Sequence, residues 1–142
     1  LSKLVFNWFW DPMGAENKAL WQVDDKKTNT EKAYCCFNSN AKDFARFGKL
    51  YKDNGVWEGK NLLDSTFVKK SIKARFDSSP EYGYGFWIGT FNDKKYFAMR
   101  GHLGQYVIVF PKENIIIVRL GKQEEKSEER VYIEEAFKMI NA

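Results

Sequence analysis

The sequence predicts an α+β fold, an antiparallel sheet of three or four strands flanked by helices. Three observations carry this. Phe44, Ala45, Phe47, Leu50 and Tyr51 fall at helical spacing. Two strand-sized apolar runs, Tyr106 to Phe110 and Ile115 to Leu120, flank a polar break at Pro111-Lys112-Glu113-Asn114, the pattern of an antiparallel hairpin. A second helical stripe, Val131, Ile133, Ala136, Phe137 and Ile140, closes the chain. Helices first, strands next and one helix last is the order of an α+β domain rather than of alternating βα units.

The totals narrow the class. At 142 residues the chain is read as one unit, residues 1 to 142, with room for a sizeable core. Its 44% hydrophobic and 17% aromatic content excludes a disordered or low-complexity protein. Lys and Arg number 23 against 19 Asp and Glu, and they are scattered with no basic stripe, which excludes nucleic acid as a partner. No apolar run approaches the length of a membrane span. Cys35 and Cys36 are adjacent, and one peptide unit suits disulfide geometry poorly, so they are expected as two small apolar core residues. A metal site would want a second ligand pair, so neither metal nor cofactor is expected.

Taken in order, residues 1 to 10 (LSKLVFNWFW) read as the end of a helix without an N-cap of its own. Asp11-Pro12-Met13-Gly14 breaks it, because proline lacks an N–H and disfavours helix in the residue before it. Residues 15 to 33 hold few apolar positions and read as a long surface loop, a kind that often borders a cleft. Ser39 is placed as the N-cap of the helix through Tyr51, and Asn54-Gly55 as its stop. Val56 to Lys60 forms a turn or tiny hairpin, and Asp64 with Ser65 caps a helix through Thr66, Phe67, Val68 and Ile72. Tyr82 to Gly89 alternates aromatics with glycine, as in a strand closely approached by other backbone. Asn92-Asp93 turns the chain into Lys95 to Met99, and the central hairpin follows. Its runs are nearly continuous rather than alternating, so both faces should be buried. Ser127 is the expected cap of the last helix, with Glu128 and Glu129 in its first turn.

The stretch most suited to chemistry is Arg100-Gly101-His102-Leu103-Gly104-Gln105, which holds the chain's one histidine between two glycines at the mouth of a core strand. Glycines there let a backbone approach a ligand or another segment closely. A lone histidine in that position fits a site group, and equally one that closes a turn by bonding a carbonyl.

Four stretches occur in an ordered set: Trp10-Asp11-Pro12-Met13-Gly14; Ala33 to Gly48; Tyr82-Gly83-Tyr84-Gly85-Phe86-Trp87; and Arg100 to Tyr106. Together they resemble the C-terminal part of the serine β-lactamase and penicillin-binding-protein-like hydrolases, in the branch of class C β-lactamases, esterases and aminohexanoate-oligomer hydrolases. One departure is Cys35-Cys36, where the family often has Gly-Gly.

The resemblance implies a partial β-lactamase/transpeptidase-like fold whose parent hydrolyses amides or esters through an acyl-enzyme. It places the family's Ser-x-x-Lys and Tyr-x-Asn motifs upstream of Leu1, so the isolated chain is expected to be inactive. It makes His102 and Gly104 catalytic through a His-x-Gly strand motif, with a nearby backbone N–H completing an oxyanion hole, and assigns Gly101, Leu103 and Gln105 to substrate binding. Ser39-Asn40-Ala41-Lys42 is itself Ser-x-x-Lys, but the resemblance aligns it with a helix cap. The implied partners are a small amide or ester substrate and the N-terminal part of the same protein, or a second copy, through strand 115 to 120. A periplasmic or secreted location is implied as well. The rival reading is a domain of the same fold that binds or scaffolds without chemistry.

Overall fold

The computed structural model describes residues 1–122 and 129–140. Helix α1 (Ser2–Val5) runs into a π-helical stretch, Phe6–Trp10, so the opening segment is helical as expected. The following loop is less open than its composition implied. Strand β1 (Leu20–Trp21) pairs antiparallel with β2 (Phe37–Asn38), and a single bridge joins Val23 to Glu31. The cysteines also depart from expectation. Cys35 and Cys36 are bonded to each other, and both lie half-buried in this loop rather than in the core.

Helix α2 spans Ala41–Lys52, and its cap is Asn40 rather than Ser39. The Asn40 side chain accepts from the Asp43 N–H at 2.9 Å and donates to the Asp43 carboxylate at 2.6 Å, a reciprocal cap between the first and fourth positions. Ser39 Oγ donates instead to the Lys18 carbonyl at 3.4 Å. The helix ends as expected. Asn54 and Gly55 take φ of 55° and 86°, and the Gly55 N–H bonds back to the Leu50 carbonyl at 2.8 Å. Strands β3 (Val56–Trp57) and β4 (Lys60–Asn61) make the tiny hairpin, with Glu58 and Gly59 both at positive φ as a two-residue turn requires. Asp64 caps α3 (Ser65–Ser71) by accepting from the Phe67 N–H at 2.7 Å.

The main sheet is a four-stranded meander in the order β5-β6-β7-β8. Its strands are β5 (Trp87–Phe91), β6 (Lys94–Gly101), β7 (Gln105–Phe110) and β8 (Ile115–Arg119). The first strand is shorter than the alternation from Tyr82 suggested. Gly83 N–H bonds the Phe86 carbonyl at 2.8 Å, Tyr84 N–H bonds the Ser71 carbonyl at 2.9 Å, and Gly85 sits at φ 83°. Those two donors are thus spent elsewhere, and the paired ladder with β6 starts at Trp87. The close approach expected of the glycines is present: a Cβ on Gly83 would collide with the Ser71 carbonyl, and one on Gly89 with the Tyr96 ring across the strand pair.

The two faces of the sheet bury different clusters. On one, Phe97, Val107 and Val109 pack with Phe44 and Tyr51 of α2 and with Ile116 and Val118. Gly48 sets the spacing there, since a Cβ would stand 3.0 Å from Val107 and 3.1 Å from Val109. On the other, Ala98, Ile108 and Phe110 pack with Ile133 and Phe137 of helix α4 (Glu129–Ile140). Helices on both faces explain why the β7 run is continuously apolar and why Val107 to Phe110 are all buried. Strand β8 is only half-buried along its length, because it stands at the edge of this sheet. The last helix uses less of its stripe than expected. Ile133 and Phe137 pack, whereas Val131 is 50% exposed, lying about 200° around the helix from Ile133. The expected cap Ser127 lies outside the described residues.

Candidate functional site

The β6–β7 connection carries the predicted site residues. Gly101 pairs with Gln105, which leaves His102, Leu103 and Gly104 as a three-residue turn. Leu103 and Gly104 take φ of 58° and 76°. The left-handed region is costly for a leucine, and the turn is held in it by Arg119 from the adjoining strand. One guanidinium nitrogen, Nη1, donates to the carbonyls of Leu103 (3.0 Å), Gly104 (2.8 Å) and Gly121 (3.0 Å). Gln105 adds a second clamp: its amide N–H donates to the Gly121 carbonyl, and its Oε1 accepts from the Gly121 N–H at 3.0 Å.

The five residues are thus brought together in one turn, and they are not equivalent. Gly101, His102 and Leu103 are exposed, while Gly104 and Gln105 are half-buried. His102 is exposed on a turn whose Leu103 and Gly104 carbonyls are tied to Arg119. The Gln105 amide is committed to Gly121 and acts on the turn's shape. Sequence reasoning missed Arg119 and Gly121. An arginine ending an apolar strand, two residues before a glycine, was the available signal.

A second ionic cluster stands beside the turn on the α4 face. The Glu129 carboxylate accepts from Tyr96 Oη at 2.5 Å, Arg100 Nε at 2.8 Å and Arg100 Nη2 at 2.6 Å. Arg100 also lies over the Trp87 ring, 4.4 Å from its centroid. Burial, then the hydrogen bond to Glu129 and its charge, push the Tyr96 hydroxyl up to about 12. Burial works against the Arg100 charge, but the Glu129 hydrogen bond and charge outweigh it and hold Arg100 above its ordinary value. This cluster pins the start of α4 to the sheet.

In the literal Ser-x-x-Lys match the two side chains are turned to other partners. Lys42 Nζ is paired with the Glu16 carboxylate at 2.7 and 2.9 Å, while the Ser39 hydroxyl turns to the Lys18 carbonyl. Two of the ordered stretches instead meet as structure. Arg46 donates from Nη1 to the Met13 carbonyl at 3.0 Å and from Nη2 to Glu16 at 2.9 Å. Trp10 Nε1 donates to the Asn17 carbonyl at 3.0 Å. Asp43, fully buried, accepts the backbone N–H groups of Glu16 and Asn17 at 3.0 and 3.1 Å. Among the described residues no group of three or more His, Cys, Asp or Glu could hold a metal ion, and no helix is long and apolar enough to cross a membrane.

No family model and no curated protein matches the chain. Solved structures do. A proposed 6-aminohexanoate-dimer hydrolase from Bacillus anthracis superposes with a TM-score of 0.78 at 26% identity, over 96% of this chain and 37% of that one. A proposed β-lactamase from Bacteroides dorei DSM 17855 gives a TM-score of 0.69 at 16% identity, over 99% of this chain and 51% of that one. The chain therefore spans about a third to a half of the structures it matches. Superposed on them over 96% and 99% of its length, it has a β-lactamase-like serine hydrolase fold.

Proposed function

We propose that this chain is the C-terminal segment of a serine hydrolase domain that cleaves amide or ester bonds through an acyl-enzyme. The observation that carries the reading is the match at 26% identity, over 96% of the chain, to a protein described as a 6-aminohexanoate-dimer hydrolase. In this reading the serine nucleophile and its lysine and tyrosine partners come from the remainder of the domain. The turn Gly101 to Gln105 faces the substrate. His102 orients or protonates a reacting group, and a backbone N–H at Gly104 contributes to the oxyanion hole. Gly101 and Leu103 line the substrate, and Gln105 acts as a positioning residue through Gly121. Strand β8 would pair along its outer edge with a strand of the same protein, since an apolar edge left open invites addition of another strand.

The test uses the full gene product. A fluorophosphonate probe should label one serine outside residues 1 to 142, and labelling should coincide with hydrolysis of a chromogenic ester or a 6-aminohexanoate dimer. His102→Ala should lower kcat at least about tenfold with labelling retained. A full-length product that neither labels nor turns over any such substrate would refute the hydrolase reading and favour a binding or scaffolding role. Unchanged kcat in His102→Ala would refute the site assignment alone.

A further inference from the structure

Cys35 and Cys36 close a ring on adjacent residues, and Cys36 holds φ at 69° within it. Both residues are half-buried, in a loop outside the core clusters. The backbone around the ring is a hub for the loop. The Cys36 carbonyl accepts from the Gln22 N–H at 3.1 Å and from Asn38 Nδ2 at 2.9 Å. The Cys35 carbonyl accepts from Trp21 Nε1 at 3.1 Å, and the same indole N–H reaches the Lys32 carbonyl at 2.7 Å. The next residue, Phe37, is wedged among aromatic rings, with centroids 5.0 Å from Trp21, 5.3 Å from Trp10 and 5.9 Å from Phe44 of α2.

We propose that the Cys35–Cys36 disulfide is a reversible thiol-exchange site whose reduction by a dithiol loosens the loop between β1 and β2. A thiolate of the reductant attacks one Sγ and forms a mixed disulfide, and the other cysteine leaves as a thiolate that takes up a proton. The reductant's second thiol then attacks its own sulfur in the mixed disulfide, releasing the remaining cysteine. Two electrons pass from the dithiol, which ends as a disulfide, and the protein ends with two thiols. Once the ring is open, nothing covalent keeps a non-glycine residue in the left-handed region, a conformation that L side chains avoid. Relaxation of Cys36 would break its carbonyl's bonds to Gln22 and Asn38 and pull on Phe37, which ties the loop to α2.

The experiment is limited trypsin digestion of the whole protein, oxidised and after dithiothreitol, with N-ethylmaleimide trapping and intact mass. Lys32 is the reporter, because its carbonyl is bonded while Lys26 and Lys27 are exposed and serve as the internal reference. Read on the tryptic peptide 33–42, Cys35 and Cys36 should carry no maleimide in the oxidised protein and one each after reduction. Cleavage after Lys32, relative to Lys26 and Lys27, should rise about tenfold on reduction and fall again on reoxidation. Cys36→Gly should stay slow with and without reductant, since glycine holds a positive φ unaided, whereas Cys36→Ala should be fast in both. Should Cys36→Ala not fold, the native protein and Cys36→Gly still decide. Maleimide on both Cys35 and Cys36 of the air-oxidised protein, or a Lys32 rate that does not respond to reduction, would overturn the proposal.

Discussion

Asp43 is the residue whose loss should be felt most widely. Its carboxylate is fully buried and accepts the backbone N–H groups of Glu16 and Asn17, Asn40 Nδ2 at 2.6 Å, Asn17 Nδ2 at 3.3 Å and Arg46 Nε at 3.2 Å. Asp43→Ala removes the acceptor of all these donors at once. Each stranded, partly buried donor costs about 1–3 kcal/mol. Arg46 keeps its bonds to Met13 and Glu16, and the losses are not additive, so the total expected is about 3–5 kcal/mol. Asp43→Asn preserves shape and one acceptor but turns an NH2 toward donors, for a loss of about 2–3 kcal/mol. Either is a large share of the roughly 5–15 kcal/mol available to a domain.

Burial pushes the Asp43 carboxyl up, but the donors from Glu16, Asn40 and Asn17 outweigh it and hold it below the ordinary aspartate range. The sign follows from linkage. A depressed folded value means that the contribution is complete above about pH 4 and drains away as pH falls through the folded pKa. Urea melts of the parent and Asp43→Asn from pH 7 to pH 2 should therefore show a stability gap that closes on the acid side. A gap under about 1 kcal/mol at pH 7, or one that widens in acid, would refute this account of the network.

Two further outcomes are expected. Asn40→Ala should cost about 1–2 kcal/mol in denaturant melts, because it removes the helix cap and a donor to Asp43, while Ser39→Ala should cost a few tenths; equal losses would return the cap to Ser39. Tyr96 should titrate near 12 by its absorbance at alkaline pH, read as the difference between the parent and Tyr96→Phe, and Glu129→Gln should bring it down while leaving the effect of burial. A raised folded value means that its contribution to stability is complete below about pH 10 and is lost as pH climbs toward the folded pKa.

Much of the architecture was written in local pattern. Helix α2, its glycine stop, the Asp64 cap, the Asn92-Asp93 turn and the order of the strands were legible because spacing, turn residues and caps are short-range constraints that a few neighbouring residues satisfy. The sequence by itself also gathered Gly101 to Gln105 into one stretch, and the structure gathers them into one turn. Tertiary structure decided what those local rules leave open. Asn40 rather than Ser39 caps α2 because Asp43, already held by the loop at Glu16 and Asn17, is positioned to answer it. Strand β5 begins at Trp87 because Ser71, at the end of α3, takes the Tyr84 N–H that a ladder would have used. The clamp of Arg119 on Leu103 and Gly104 spans 16 and 15 residues of chain, and the Glu129 contacts to Arg100 and Tyr96 span 29 and 33. Such pairings have no local signature: a charged residue finds its partner only after the strands have set their register and the helix has docked. The two cysteines were visible as neighbours from the start, but only the tertiary structure shows that they close on each other.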